Sequence, residues 1–141
     1  TGTQLAGLVR MQLRSLSAAQ MAALTQTQIA ALTPTQISNL TTTEMSGLAA
    51  TQFAALTSSQ IAALTVTQLN GLTQTQIGSL GDRQLAGLTT TQIPGLGLDA
   101  ISWLTPRMIE ALDAAQISAF SDYQIASMTD EQVAAMQVAV S

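Results

Sequence analysis

The stretch that decides the fold is LTQTQIAAL, residues 24–32, and its eight-residue pattern recurs along the chain. Counted from the Thr, the unit is T-x-T-Q-I-x-x-L, and seventeen such octads follow one another over residues 1–136 without an insertion. Position 5 is Ile, Leu, Met, Val or Phe in all seventeen octads, position 8 is Leu in fourteen, and position 4 is Gln in fourteen. Self-similarity at a fixed period predicts a repeat architecture.

Each octad carries the pattern of a helix start. Thr at position 1 and Gln at position 4 form a capping box, in which the hydroxyl accepts from the position 4 amide and the Gln side chain returns to the position 1 amide. Pro34 and Pro106 both stand at position 2, the first helical position, where proline is favoured. The residues predicted to cap helices include Thr25, Gln28, Thr33, Gln36, Thr57, Gln60, Thr65, Gln68, Thr73 and Gln76.

The apolar residues at positions 5 and 8 form the predicted core. One octad gains about 3–6 kcal/mol by burying its two large side chains, whereas ordering eight backbones costs about 8–16 kcal/mol. Neighbouring coils therefore have to stack, which predicts an all-α solenoid of very short capped helices, one per octad. The period does not distinguish two octads per coil from three. The core residues include Ile29, Leu32, Ile37, Leu40, Ile61, Leu64, Ile77 and Leu80.

A β-solenoid is the alternative fold. Thr and Ile favour strands, and a T-x-T triplet alternates sides as a strand requires. Positions 5 and 8 would then lie on opposite faces of the strand, and the capping box would be an accident. We therefore favour the helical solenoid.

The repeat divides into a regular part, residues 1–96, and a degenerate part, residues 97–141, within one continuous solenoid domain. Six of the eight acidic residues lie in the stretch 99–131. Because solenoid ends need polar caps to stay soluble, we expect residues 97–141 to be a C-terminal cap or a segment that docks a partner.

Two local departures from the repeat suggest changes in the backbone. Pro94 occupies a helix-interior position and is followed by two nearby glycines, which predicts a kink or a longer turn at residues 94–98. The tail, residues 137–141, leaves the octad register and is a candidate strand for pairing with a neighbouring copy. The chain begins with Thr1 and shows no initiator Met or leader, so we expect a processed product or an excised piece.

Composition excludes several classes of function. The chain has no His and no Cys, and its four cationic side chains are all Arg, with a formal net charge of −4. The chain therefore cannot form disulfides or carry out thiol chemistry, and it lacks the usual zinc ligands. We expect no metal and no cofactor. Four cations are too few for a nucleic-acid surface. No apolar run is long enough for a transmembrane helix.

Carboxylates are the remaining candidate catalytic groups. The nearest pairs are Glu110 with Asp113 and Asp130 with Glu131. Paired carboxylates can hydrolyse glycosides, but Asp113 stands at a capping position. The second pair lies in a first helical turn, where the helix dipole favours acids. The sequence therefore predicts that the protein is not an enzyme.

The string L-T-x-T-Q-I-A-A-L occurs at residues 24–32 and, with Ser59 in place of the second Thr, at residues 56–64. It resembles octapeptide tracts of large bacterial secreted and surface proteins that are described as adhesin-like. The resemblance covers about residues 1–136 and implies a location outside the cell or at its surface, with the repeats acting as a stalk. Thr at positions 1 and 3 in seven octads also resembles the ice-binding face of insect antifreeze proteins.

Charge patterning suggests what such a chain does. Residues 15–43 and 45–81 contain no charged side chain, so little electrostatic repulsion opposes association. The ends of a solenoid also expose the columns that join its inner coils. We therefore predict a structural repeat protein that self-associates into a homo-oligomer, an extracellular filament or a surface layer. The alternative is an adhesin-type stalk, or a surface module that binds ice or glycans.

Overall fold

A computed structural model describes the backbone of residues 10–141 and the side chains of residues 12–141. This part of the chain forms fifteen short α-helices and one 3-10 turn, and no strand occurs in it. The all-α solenoid of short helices is therefore confirmed, and the β-solenoid alternative is wrong. The helices are α1 (Arg10–Arg14), α2 (Ala18–Ala22), α3 (Gln26–Ala31), α4 (Pro34–Asn39), α5 (Thr42–Ser46), α6 (Ala50–Phe53), α7 (Ser58–Ala62), α8 (Val66–Asn70), α9 (Gln74–Gly78), α10 (Asp82–Ala86), α11 (Leu98–Trp103), α12 (Pro106–Glu110), α13 (Ala114–Ser118), α14 (Asp122–Ala126) and α15 (Asp130–Ala139).

Each helix is short because its octad both starts and stops it. The N-cap residue is extended, with φ −70° and ψ 155° at Thr33. The chain is extended again at position 8, with ψ 139° at Leu32 and 144° at Leu40. No described residue has a positive φ. The helices therefore end on an extended Leu and not on a left-handed glycine.

The core is one continuous column of position 5 and position 8 side chains. The eight residues named above as core residues are each exposed by 6% or less. Positions 5 and 8 of the octad at residues 121–128 are less well covered, since Ile125 and Met128 are only partly buried. Each coil is thus shielded by its neighbours, as expected of a solenoid.

Hydrogen bonds between coils show how many octads complete a turn. The side chain of Gln26 bonds to a residue 25 positions later, and the side chain of Gln60 bonds to residues 28 and 31 positions earlier. Helices three octads apart along the chain pack on each other, as α4 and α7 do, while the hydrogen bonds span 25–31 residues, so one coil takes between three and four octads. The octad period left this count open, and the contacts between coils decide it. Because the count is not whole, each helix lies over the junction between two helices of the coil beneath.

Glycine at position 7 allows two coils to approach closely. Gly87 has an ordinary φ of −78°, but a Cβ built on it would lie 2.5 Å from the carbonyl oxygen of Ser58. A Cβ on Gly95 would lie 2.7 Å from a methyl carbon of Val66. These two positions therefore favour glycine because a Cβ would collide with the neighbouring coil.

Two predictions about the backbone need correction. The octad around Pro94 keeps its length, and a 3-10 turn at Ile93–Gly95 replaces the α-helix, since proline lacks an amide donor. The next helix, α11, resumes in register, so the longer turn at residues 94–98 is wrong. The predicted tail strand is also wrong, because helix α15 runs on through Ala139. Residues 137–141 contain no Thr and Gln pair that would restart a helix, and α15 packs on α12 and α13.

Candidate functional site: the glutamine ladder

The residues predicted to cap helices form reciprocal pairs at the helix starts. The Thr33 hydroxyl accepts from the Gln36 amide at 3.1 Å, and the Thr33 amide donates to Gln36 Oε1 at 2.9 Å. The same two bonds occur in the pairs Thr25–Gln28, Thr57–Gln60, Thr65–Gln68 and Thr73–Gln76. Each box satisfies two amides at a helix start that would otherwise lack a partner.

The same glutamines have a second function that the sequence analysis missed. Gln60 is 1% exposed, and its Nε2 donates to the carbonyl oxygens of Ile29 at 2.9 Å and Leu32 at 2.7 Å. Both acceptors lie at the end of a helix in the coil beneath; the Ile29 carbonyl also accepts from the Leu32 amide at 3.2 Å, and Leu32 is the C-cap of that helix. One side chain therefore begins its own helix and completes the end of another.

This bond pair recurs throughout the described solenoid, and we call it the glutamine ladder. In each case Nε2 donates to the position 5 and position 8 carbonyls 31 and 28 residues earlier, at 2.7–3.1 Å. Its members are Gln52, Gln60, Gln68, Gln76, Gln84, Gln92, Gln116, Gln124 and Gln132. The bonds of Gln124 to Ile93 and Leu96 join the degenerate stretch to the regular one.

The composition of position 4 contains a signal for this second function. A capping box accepts either Gln or Glu at that position, yet fourteen octads have Gln and one has Glu. Only Gln provides an N–H donor as well as an acceptor. The preference for the amide therefore indicates that a donor is needed, and a capping argument alone does not explain it.

Three described octads lack the ladder glutamine. Glu44 keeps the capping bond, with its Oε2 2.7 Å from the Thr41 amide, but a carboxylate has no donor for the coil beneath. Ala100 and Met108 are buried and apolar, at 5% and 3% exposure. Other residues join these two octads to the coil beneath.

Near Ala100, the side chain of Asn70 joins one coil to the next. Its Oδ1 accepts from the Gly97 amide at 2.8 Å, and its Nδ2 donates to the Gly95 carbonyl at 3.0 Å. Gly97 begins an octad that has neither a capping hydroxyl nor a Gln, so Asn70 supplies the missing acceptor from the coil beneath. Arg107 lies in the octad of Met108. It forms an ion pair at 3.3 Å with Asp82, which lies 25 positions earlier, and both side chains are exposed.

The predicted carboxylate pairs lie on the outside of the solenoid. Asp113 Oδ1 accepts from the Gln116 amide at 2.8 Å, so this carboxylate caps helix α13. Glu110 is exposed near the end of α12, and exposed Asp130 and Glu131 lie in the first turn of α15. Within the described residues, no three acidic side chains are arranged to hold a metal.

One groove on the described surface lies between coils and is open to solvent. It has a volume of about 920 Å³ and is lined among others by Ser58, Asp82, Arg83 and Arg107. Its one carboxylate, Asp82, is paired with Arg107. Among the described helices, none combines the length and the apolarity that a membrane span requires.

The fold and the ladder together define a repeat protein of the short-helix solenoid class. In agreement, residues 3–42 match the family called the ALTTAQ repeat. Within the matched range, residues 31–36 read A-L-T-P-T-Q. The match supports a repeat family. Comparisons with the curated proteins and with the solved structures found no match.

Proposed function

We propose that the chain is a structural protein whose solenoid self-associates into an extracellular filament or surface layer. The observation that carries this proposal is the glutamine ladder, which makes the same joint between one coil and the next in nine of the described octads. The two faces of that joint differ from each other, one supplying donors and the other acceptors. Interfaces of this heterologous kind can extend from copy to copy without closing.

The sides of the solenoid favour association as well. Residues 15–43 and 45–81 carry no charge, and their exposed positions are mainly Thr, Ser, Gln and Ala. A surface with so little net charge does not keep copies apart by electrostatic repulsion.

The positions of the acidic groups support a structural role over a catalytic one. Asp113 serves as a helix cap, and Asp82 is engaged by Arg107. Glu110, Asp130 and Glu131 are exposed to solvent on helix surfaces. None of these groups lies in an enclosed site, where burial would adapt a carboxylate to acid–base chemistry.

The extracellular location rests on the resemblance of the octads to tracts of bacterial surface proteins. Labelling intact and permeabilised producing cells with an antibody to this chain tests it directly. Signal from intact cells is the expected result, whereas signal only after permeabilisation would contradict the location and leave self-association to its own test.

Light scattering coupled to size-exclusion chromatography tests self-association. We expect the apparent mass to rise with protein concentration through the micromolar range, and a monomer at every concentration would contradict the proposal. A constant monomer would favour the adhesin-stalk alternative. The ice-binding alternative has less support, because the Thr hydroxyl at position 1 serves as a helix cap, as at Thr25 and Thr33.

A further inference from the structure

We propose that a groove on the side of the solenoid binds the acidic start of helix α15 of a second copy, so that copies associate side by side. The groove is the one lined by Arg83 and Arg107, and we call it the arginine groove. Its occupant is the pair of neighbouring carboxylates Asp130 and Glu131. This inference rests on the proposed self-association and specifies the surfaces that meet.

The arginine groove collects the cations of most of the chain. Residues 15–141 contain two basic side chains, Arg83 and Arg107, and every other charged side chain in that stretch is a carboxylate. Both arginines occupy position 3 of their octads, which are three octads apart, and both line the groove. The groove is therefore the basic site of this part of the solenoid.

Small side chains open the groove between two coils. Gly81 stands at position 1, where most octads have a hydroxyl residue, and a Cβ built on it would meet nothing within 4 Å. Ala54, Ala55 and Ala86 line other parts of the wall. The volume of about 920 Å³ is within the range of cavities that hold whole ligands. The space is therefore large enough to admit the first turn of a helix.

One cation in the groove is already balanced and the other is not. Arg107 Nη2 lies 3.3 Å from Asp82 Oδ1. Arg83 makes no hydrogen bond or ion pair with any residue that the structure describes. Two Arg and one Asp line the groove, so its net charge is +1. An incoming carboxylate therefore meets an attractive charge and not a fully paired one.

Helix α15 carries the complementary charge. Asp130 and Glu131 are exposed in its first turn, and neither forms an ion pair with a described residue. From Met108 onward the chain has five carboxylates and no cation. The two acids occupy positions 2 and 3, which are also exposed in inner octads, as at Gln74 and Thr75. They therefore belong to the side of the solenoid.

The other carboxylates fit the groove less well. Asp82 is paired within the groove itself, and Asp113 caps helix α13. The remaining ones are single charges, at Glu44, Asp99, Glu110 and Asp122. Asp130 and Glu131 alone are adjacent in sequence, so they bring two negative charges to one contact. Two such charges increase both the rate and the selectivity of the encounter.

The groove and the acid pair are different surfaces of one chain. Each copy can therefore offer its groove to one neighbour and its acid pair to another. Contacts of this heterologous kind extend from copy to copy when the rotation between copies does not close. The joint thus provides a route to the filament or layer proposed above.

Charge reversal in the full chain tests this joint. We expect Arg83→Glu and Glu131→Arg each to weaken association roughly tenfold or more, because each places like charges opposite one another. Arg14→Glu is the matched control, since it makes the same charge change at an exposed arginine outside the groove. Sedimentation velocity at a series of concentrations measures association, and circular dichroism checks that the variants keep the helical fold. The control should associate as the unmodified chain does.

Mixing the two variants provides the sharpest measurement. The intact acid pair of Arg83→Glu can bind the intact groove of Glu131→Arg, and the two reversed surfaces also carry opposite charges. We therefore expect the mixture to recover association that neither variant shows alone. High salt should weaken association of both the mixture and the unmodified chain, because salt screens exposed charges.

The outcomes separate this inference from the proposed function. If the unmodified chain is a monomer at every concentration, self-association itself fails. If it associates and Arg83→Glu associates equally well, or if the mixture recovers nothing, the arginine groove is not the joint and self-association stands. A monomer that binds polygalacturonate, and loses that binding in Arg83→Glu, would assign the groove to an acidic glycan instead.

Discussion

The Nε2 atom of Gln60 lies 2.7 Å from the carbonyl oxygen of Leu32, a residue 28 positions earlier in the chain. The same side chain accepts from the Thr57 amide at 2.8 Å. A buried amide group thus satisfies the start of one helix and the end of another. This relationship explains how helices of four to six residues, far too short to be stable alone, form an ordered stack.

Replacing a ladder amide by a carboxylate should destabilise the solenoid. In Gln60→Glu the capping acceptor remains, but the Leu32 carbonyl loses its side-chain donor, the Ile29 carbonyl keeps only the Leu32 amide, and both face a buried negative charge. We expect a loss of about 1–3 kcal/mol or more in the free energy of unfolding, measured by urea denaturation followed by circular dichroism. Gln74→Glu, at an exposed position 2, is the control. Equal effects at both sites would show that the ladder bond contributes nothing.

The reverse change should stabilise the protein at Glu44, the one carboxylate at position 4 of an octad. Glu44→Gln keeps the bond to the Thr41 amide and supplies an Nε2 donor to the carbonyls of Leu13 and Leu16, which lie 31 and 28 positions earlier. The expected gain in unfolding free energy is about 1 kcal/mol, the typical net value of one hydrogen bond. A decrease in the thermal unfolding midpoint would contradict this expectation.

Two glycine substitutions should have effects of opposite sign. A Cβ at Gly87 would meet the Ser58 backbone at 2.5–3.0 Å, whereas a Cβ at Gly78 would meet nothing within 4 Å. Gly87→Ala should cost about 1–3 kcal/mol because two coils are forced apart. Gly78→Ala should stabilise by about 0.4–1 kcal/mol, since alanine restricts the unfolded chain. Thermal unfolding of both variants tests the pair, and a stabilised Gly87→Ala would mean that the coils are not closely packed there.

The capping positions allow a paired test of gain and loss. Ala49 is an N-cap with no side-chain acceptor, although its amide still donates to Gln52 Oε1 at 2.9 Å. Ala49→Thr should raise stability, and Thr33→Ala should lower it, each by about 0.5–2 kcal/mol. Chemical denaturation of the two variants together provides the measurement. Changes of the same sign at both sites would show that position 1 does not act as an N-cap.

The core residues should matter more than the caps. Ile37 is fully buried, so Ile37→Ala should cost about 2–5 kcal/mol through lost burial and the cavity left behind. The exposed apolar residue Val138, which is 57% exposed, provides the control. We expect Val138→Ala to change the unfolding midpoint very little, and a comparable loss at both positions would be inconsistent with a core at position 5.

Local chemistry made much of the fold predictable. A helix start is defined by a hydroxyl residue at position 1, a Gln at position 4 and a large apolar residue at position 5. All three lie within one octad. The helical fold class and the choice of positions 5 and 8 as core follow from it. The tail was predicted less well, because Gln137 and the residues after it contain no signal that says whether the preceding helix continues.

The sequence by itself determined the octad, its helical start and the side of the helix that must be buried, since all three depend on neighbours within one repeat. Only the tertiary structure decided that a turn takes between three and four octads, that Gln60 reaches back to Leu32, and that Gly87 must leave room for Ser58. These features depend on the angle between successive helices. That angle is set by how whole coils pack, and no eight-residue pattern contains it.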